Sequence, residues 1–243
     1  MFVPEYTITP KALKNISTLE YGKAIIENTT ILPSWENQLK KESIVRIISG
    51  SLNLLGYTAD NKKIKAAVDN ISTIPNQEVS YLINAVDLLD SISQKNEIDE
   101  NDLKEINKAL TKTGIYRNSK KEGKILPEEI LAETVQLFDW LNGLDAKDTH
   151  PVITAVIVKA TLDLIEPFEN LNSVTSNLIT YLILRSSGYG FKIFITMYRW
   201  NHSTRREYQQ LVEQIDTKDP DYTEWIDYFT EGLASEISTI SQK

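Results

Sequence analysis

The chain has 243 residues, 41 % of them hydrophobic and 25 % charged, enough for a substantial core and ordinary for a globular protein. It has no cysteine and two histidines, His150 and His202, which excludes disulfides, thiolate zinc sites, cysteine nucleophiles and histidine-rich metal clusters. A net charge of −8, with basic residues only in short pairs (Lys62-Lys63, Lys120-Lys121, Arg205-Arg206), argues against nucleic-acid binding, and those pairs read as solvated faces.

No basic region followed by an apolar stretch opens the chain, so no signal peptide is visible in MFVPEYTITP. The longest apolar run, 151–165, is interrupted by Lys159 and Asp163. It falls short of the roughly 20 residues a membrane span needs. A cytoplasmic protein without a membrane segment is expected.

Gly and Pro are sparse and fall between apolar-periodic segments, the pattern of helices joined by short loops. Pro10 opens a first helix with Thr9 as N-cap, and a second runs from Pro33 to about Leu55. Further helices are predicted over 61–71, 76–94, 99–112 and 127–143, the third of these opening on the acidic start Asp99-Glu100. Residues 113–126 have no helical period and carry Gly114 and Gly123, which suits a small hairpin or flap.

Thr149 can cap the next helix, with Pro151 near its first position. Ile153, Val156, Ile157, Ala160 and Leu164 repeat at helical spacing, while Val152, Val158 and Leu162 fill the other faces. A helix apolar nearly all round belongs at the centre of a domain. A second of the same kind, VTSNLITYLILRSSG, ends at Gly188. Between them lies the polar stretch from Glu166 to Ser173, and the residues alone leave two readings open: a capped helix–helix turn, or a functional loop. Two more helices, over 203–216 and 221–238, carry the stripes Tyr208, Leu211, Val212 and Trp225, Tyr228, Phe229, Leu233, which read as core. No composition break appears. Residues 1–95 read as an N-terminal helical region and 96–243 as the core domain, together one unit.

Several stretches, in order, resemble the Fic family: ITPKAL at Ile8 to Leu13, GIYR at Gly114 to Arg117, and KILPEEI at Lys124 to Ile130. HPVITAVIVKATLDLIEPFENLN from His150 to Asn172 and REYQQLVE from Arg206 to Glu213 continue the series. The resemblance implies an all-α, Fic-like helical bundle around a buried central helix hairpin, with a small β-hairpin flap at Lys124, Ile125 and Leu126. Active members transfer AMP, or occasionally other phosphate-containing groups, to protein hydroxyls.

The family signature is His-Pro-Phe, any residue, an acid, Gly, Asn, Gly or Lys, Arg, two of any type, Arg. Pro167, Phe168 and Asn172 match it, whereas Glu166 stands at the histidine, Asn170 at the acid and Leu171 at the first glycine. Ser173 takes the second glycine position, and Val174 and Asn177 take the two arginines. The family histidine is a general base; Glu166 could accept a proton, and burial could raise its pKa. The acid position holds a divalent cation, for which neutral Asn170 is a weak replacement. The glycines shape an anion-cradling backbone, and the Cβ of Leu171 disfavours left-handed backbone by about 1–2 kcal/mol, so the cradle is expected to be absent or reshaped. The arginines hold phosphate; without them, Glu166 and Glu169 should repel a polyphosphate.

Many family members also carry an inhibitory helix whose glutamate pairs with the second arginine. The corresponding position here is Ser49, so glutamate and arginine are both missing. His150 reads as structural or capping, and His202 as exposed in a polar turn.

The resemblance with these departures implies a binding or regulatory pseudoenzyme with no cofactor and no metal. The nucleotide-binding positions Asn170, Asn172, Ser173 and Asn177 would then be non-functional. The alternative is an active transferase using Mg–ATP or another phosphate-containing donor, with Glu166 as base. The partner classes left open are a protein and a second copy of the chain.

Overall fold

The computed structural model describes residues 1–30, 32–70, 73–189, 205–215 and 220–241. Eleven helices are present among them: α1 (Pro10–Asn28), α2 (Pro33–Leu54), α3 (Asn61–Asp69), α4 (Gln77–Ile92), α5 (Glu100–Thr111), α6 (Ile130–Asn142), α7 (Leu144–Asp148), α8 (Pro151–Ile165), α9 (Asn172–Ser186), α10 (Arg205–Gln214) and α11 (Thr223–Ser241). The described residues hold no extended strand, only two isolated bridges, Glu5 with Asp221 and Tyr116 with Phe168.

The helix starts follow capping chemistry. Thr9 accepts from the Ala12 amide ahead of Pro10. Asp99 and Asp102 form a reciprocal capping box on α5, which ties down two amides that a helix start would otherwise leave free. At α8 the expectation needs correcting. The Thr149 hydroxyl donates backwards to the Asp145 carbonyl at 2.8 Å, and the His150 ring caps instead, Nδ1 accepting from the Val152 amide at 3.3 Å. His150 Nε2 also meets Glu20 at 3.1 Å, so this histidine joins α8 to α1. His202 lies outside the described residues.

The centre is the α8–α9 hairpin. Every residue of α8 except Pro151 and Leu164 is buried, as is every residue of α9 from Val174 to Leu184. That is what sequences apolar on all faces require. Around the pair pack α4, α5, α6 and α11, with Trp225 donating its ring N–H to the Val156 carbonyl at 2.7 Å. The aromatic stripe of α11 is core as expected, and the α10 stripe (Tyr208, Leu211, Val212) packs partly buried against it.

The first and last helices lie along each other. Gly22 of α1 allows it: a Cβ there would fall 2.6 Å from Ile237 of α11. Thr9 to Asp227 and Lys11 to Glu231 close the same interface.

Residues 113–126 do not form the expected hairpin. Their backbone partner is the loop after α8: Tyr116 bridges Phe168, and the Arg117 amide donates to the Pro167 carbonyl at 2.9 Å. The carbonyls of Ser119 and Ile125, which a hairpin would pair across its strands, are taken by the Arg117 guanidinium instead.

Candidate functional site

The polar loop between α8 and α9 starts and ends on left-handed residues. Glu166 terminates α8 at φ 44°, and Leu171 precedes α9 at φ 61°. The expected loss of left-handed backbone at Leu171 is therefore not what occurs. Leu171 adopts it despite its Cβ, because its carbonyl must still accept the first helical bond, from Thr175 at 2.9 Å. Starting α9 outweighs a penalty of about 1–2 kcal/mol.

Asn172 clasps the loop: Oδ1 accepts from the Phe168 amide at 2.8 Å and Nδ2 donates to the Phe168 carbonyl at 2.7 Å. Phe168 is buried and rests on Tyr116, ring centres 5.4 Å apart. From α5, Asn107 donates to the Asn170 carbonyl and to Thr175. Asn170 and Ser173 are exposed, and Val174 is buried.

Glu166 is not a bare carboxylate. Lys124 Nζ lies 3.0 Å from one oxygen and Lys121 Nζ 3.0 Å from the other. Burial pushes the carboxyl up, but hydrogen bonds from Lys121 and Lys124 outweigh burial and hold it below the ordinary carboxylate range. Glu169 is satisfied too, accepting from the Ser119 amide and hydroxyl, which lower its pKa. Both carboxylates thus face donors from 113–126, and the expected pair of unopposed charges does not arise. Lys121, read as a solvated basic residue, is an ion-pair partner.

Arg117 fixes this segment to the loop. It is 1 % exposed and donates to the carbonyls of Glu166, Ser119, Ile125 and Ile165. Lys124 adds a bond to the Asp163 carbonyl. Ile125 supplies one of those carbonyls, while the Leu126 amide donates to Glu129.

Below the loop lies a buried polar cluster. Lys159, fully buried, donates to Asp163 at 2.9 Å, Ser176 at 3.3 Å and Tyr208 at 3.0 Å; Ser176 and Tyr208 in turn donate to Asp163. Desolvation lowers the Lys159 pKa against the pull of Asp163. Every member has a partner, and the cluster ties α8 to α9 and α10.

Asn177 behaves differently. It is 2 % exposed, and neither of its amide atoms has a hydrogen-bond partner. Ser49, at the inhibitory-helix position, is half-buried and back-bonds to the Arg46 carbonyl at 3.1 Å.

The loop offers a divalent cation no carboxylate that is not already paired. Asn170 is neutral, and the carboxylates of Glu166 and Glu169 are bound by lysines and by Ser119. Among the described residues, no group of three or more His, Asp or Glu side chains converges as a metal site would need.

Sequence reading singled out Glu166, Asn170, Asn172, Ser173 and Asn177. The structure brings the first four to one loop surface and buries the fifth beneath it. It adds Arg117, Lys121, Ser119 and Asn107, which come from 45 to 68 residues away in sequence. The one available signal was the flap segment's excess of cations opposite a loop with two acids.

No family model matches the chain. Its structure is similar to that of a Fic family protein from Desulfovibrio desulfuricans G20, with TM-score 0.79 and 20 % identity over 98 % of this chain and 76 % of that one. Fic-1 from C. elegans aligns at TM-score 0.76 and 19 % identity, covering 95 % of this chain and 72 % of that one. A Fic domain containing signaling protein from Bacteroides thetaiotaomicron VPI-5482 aligns at 0.73 and 17 %, covering 96 % and 97 %. The chain has the Fic fold, all-α and built on the buried α8–α9 hairpin.

Proposed function

We propose that this chain is a degenerate Fic-domain protein that does not transfer AMP and acts instead by binding, as a regulatory pseudoenzyme in the cytoplasm. The observation that carries the reading is the state of Glu166. A general base must offer a free lone pair at a pKa near the working pH. Here both oxygens are held by lysines, and the pKa is moved down, away from that range.

The arginine positions support the same reading. Val174 and Asn177 are buried and carry no charge with which to hold a phosphate. Exposed Ile115 and Leu126 on the flap segment offer apolar contacts to a protein partner.

One observation favours a second reading, an active transferase with altered donor chemistry and Glu166 as base. Leu171 keeps the left-handed backbone ahead of α9, so the amides at the start of that helix could still cradle an anion. Incubation of the full chain with a panel of labelled nucleotides and cell-lysate proteins separates the two. The pseudoenzyme reading expects no label on any protein; transfer that disappears in Glu166→Ala would replace it with the second.

A further inference from the structure

The start of α8 uses a histidine as its side-chain cap, and an imidazole can accept a hydrogen bond only in its neutral form. His150 Nδ1 accepts from the Val152 amide at 3.3 Å, so that nitrogen carries no proton. The ring proton then sits on Nε2, which meets a Glu20 oxygen of α1 at 3.1 Å as a donor to a carboxylate. Tyr189, just beyond α9, donates its hydroxyl to the same Glu20 oxygen and lies 3.4 Å from His150 Nε2. Three parts of the fold therefore meet on one carboxylate oxygen, and one of the three also caps the central helix.

A second proton changes both contacts, in opposite senses. It must go on Nδ1, where it points at the Val152 N–H, and a donor facing a donor ends the cap. The positive ring also stands at the N-terminal end of a helix, where the peptide dipoles oppose a cation. On its other side the ring becomes an imidazolium facing the Glu20 carboxylate, a charge-assisted pair. The surrounding charges leave this exchange in place. From α1, Lys23 lies over the Tyr189 ring, 4.3 Å from its centre, and Glu27 acts on the Tyr189 hydroxyl. Asp145, Lys147 and Asp148 stand on α7 just ahead of the cap, and the Tyr6 hydroxyl meets that of the neighbouring Thr149 at 3.2 Å. Of these charged groups, only Glu20 lies within ion-pair distance of the ring.

We propose that His150 is a pH-sensitive fastener at the junction of α1 and α8: neutral, it caps α8; protonated, it releases the Val152 amide and holds α1 through Glu20. Acidification thereby loosens the first turn of the central helix and tightens the seat of α1. The device needs no change of fold, only a small rotation of one partly exposed ring away from the helix end. The inference does not depend on whether the loop at Glu166 is catalytically active.

Imidazole and amide ¹⁵N spectra of the labelled full chain, followed from about pH 8 to about pH 5 where histidines titrate, test it. At the neutral end the His150 ring is expected as the Nε2–H tautomer. On acidification the Val152 amide should shift with the same midpoint as the ring. Its hydrogen exchange, corrected for the intrinsic pH dependence, should rise about fivefold, the change that loss of a typical cap implies. Glu20→Gln, at an exposed position, should move the ring midpoint to lower pH by removing the charge that favours the imidazolium. His150→Asn caps without titrating, so Val152 should stay protected across the range. That variant also separates the His150 signals from those of His202, the only other histidine in the sequence. An Nδ1–H tautomer in the neutral chain, or a Val152 amide that does not follow the ring, would overturn the proposal. So would a midpoint unmoved by Glu20→Gln, or the same acid response in His150→Asn.

Discussion

The loop after α8 and the cleft beside α2 carry similar residue types and treat them in opposite ways. In the loop, Glu166, Glu169, Asn172 and the backbone around Phe168 all have partners within the chain. At the cleft lined by α2, α4 and α9, Asp87 faces only a like charge and a shared lysine, and along the neighbouring face of α9 the Asn177 amide has no partner. Asn177, Tyr181 and Arg185 follow one another at four-residue steps on α9, so the orphaned amide continues the stripe that lines the cleft. A polar group whose bonds are all made inside the fold is accounted for by structure. One left without bonds is a cost that a substitution can relieve.

The contrast can be broken most severely at Arg117. Arg117→Ala strips donors from four carbonyls in a site that water reaches poorly, and a loss of about 3–5 kcal/mol is expected in urea unfolding. A loss below about 1 kcal/mol would mean that the flap segment is held by its lysines rather than by Arg117. Asn177→Leu tests the other region with the opposite sign. It replaces an unsatisfied buried amide by an apolar group of similar size, and a gain of about 1–3 kcal/mol is expected. Destabilisation would show that the amide finds a partner in solution. Leu171→Gly should be about 1 kcal/mol more stable than Leu171→Ala, because both lose a side chain packed partly on the core and only glycine is free of the left-handed cost, a difference readable in the unfolding midpoints.

The smallest expected effect is at Glu166 and lies on the acid limb. Its folded-state pKa is depressed, so its contribution is present above the ordinary value of 4.5 and is lost as pH falls through the lower folded value. Glu166→Gln should therefore flatten the decline in stability below about pH 4.5 and change little between pH 6 and 8 beyond a constant offset. An unchanged acid limb would mean that the lysine pairs do not persist in solution.

How much of this was legible depended on how local each cause was. The buried character of α8 and α9 followed from apolar residues on every face, and Thr9, Pro10 and Asp99 marked helix starts because capping is decided within a few residues. Thr149 and His150 both read as possible caps at the start of α8, and only the contact between His150 and Glu20 across the fold, which the sequence does not show, separates them. Leu171 went the other way from its intrinsic preference because the start of α9 outweighed a small steric cost. The satisfaction of Glu166 by Lys121 and Lys124 was hidden in a segment with no periodicity, where nothing local says which way a lysine turns. The unpartnered Asn177 was equally hidden, since a missing hydrogen bond is a property of the assembled interior.

The claim that the loop has exchanged phosphate handling for internal pairing is tested most directly by calorimetric titration of the full chain with magnesium–ATP. The pairing of Glu166 with Lys121 and Lys124, and the uncharged, buried Val174 and Asn177, lead to an expected result of no saturable heat up to millimolar nucleotide. Saturable binding at micromolar concentration, weakened by Lys124→Ala, would contradict it, because it would mean that the lysines serve the nucleotide rather than Glu166.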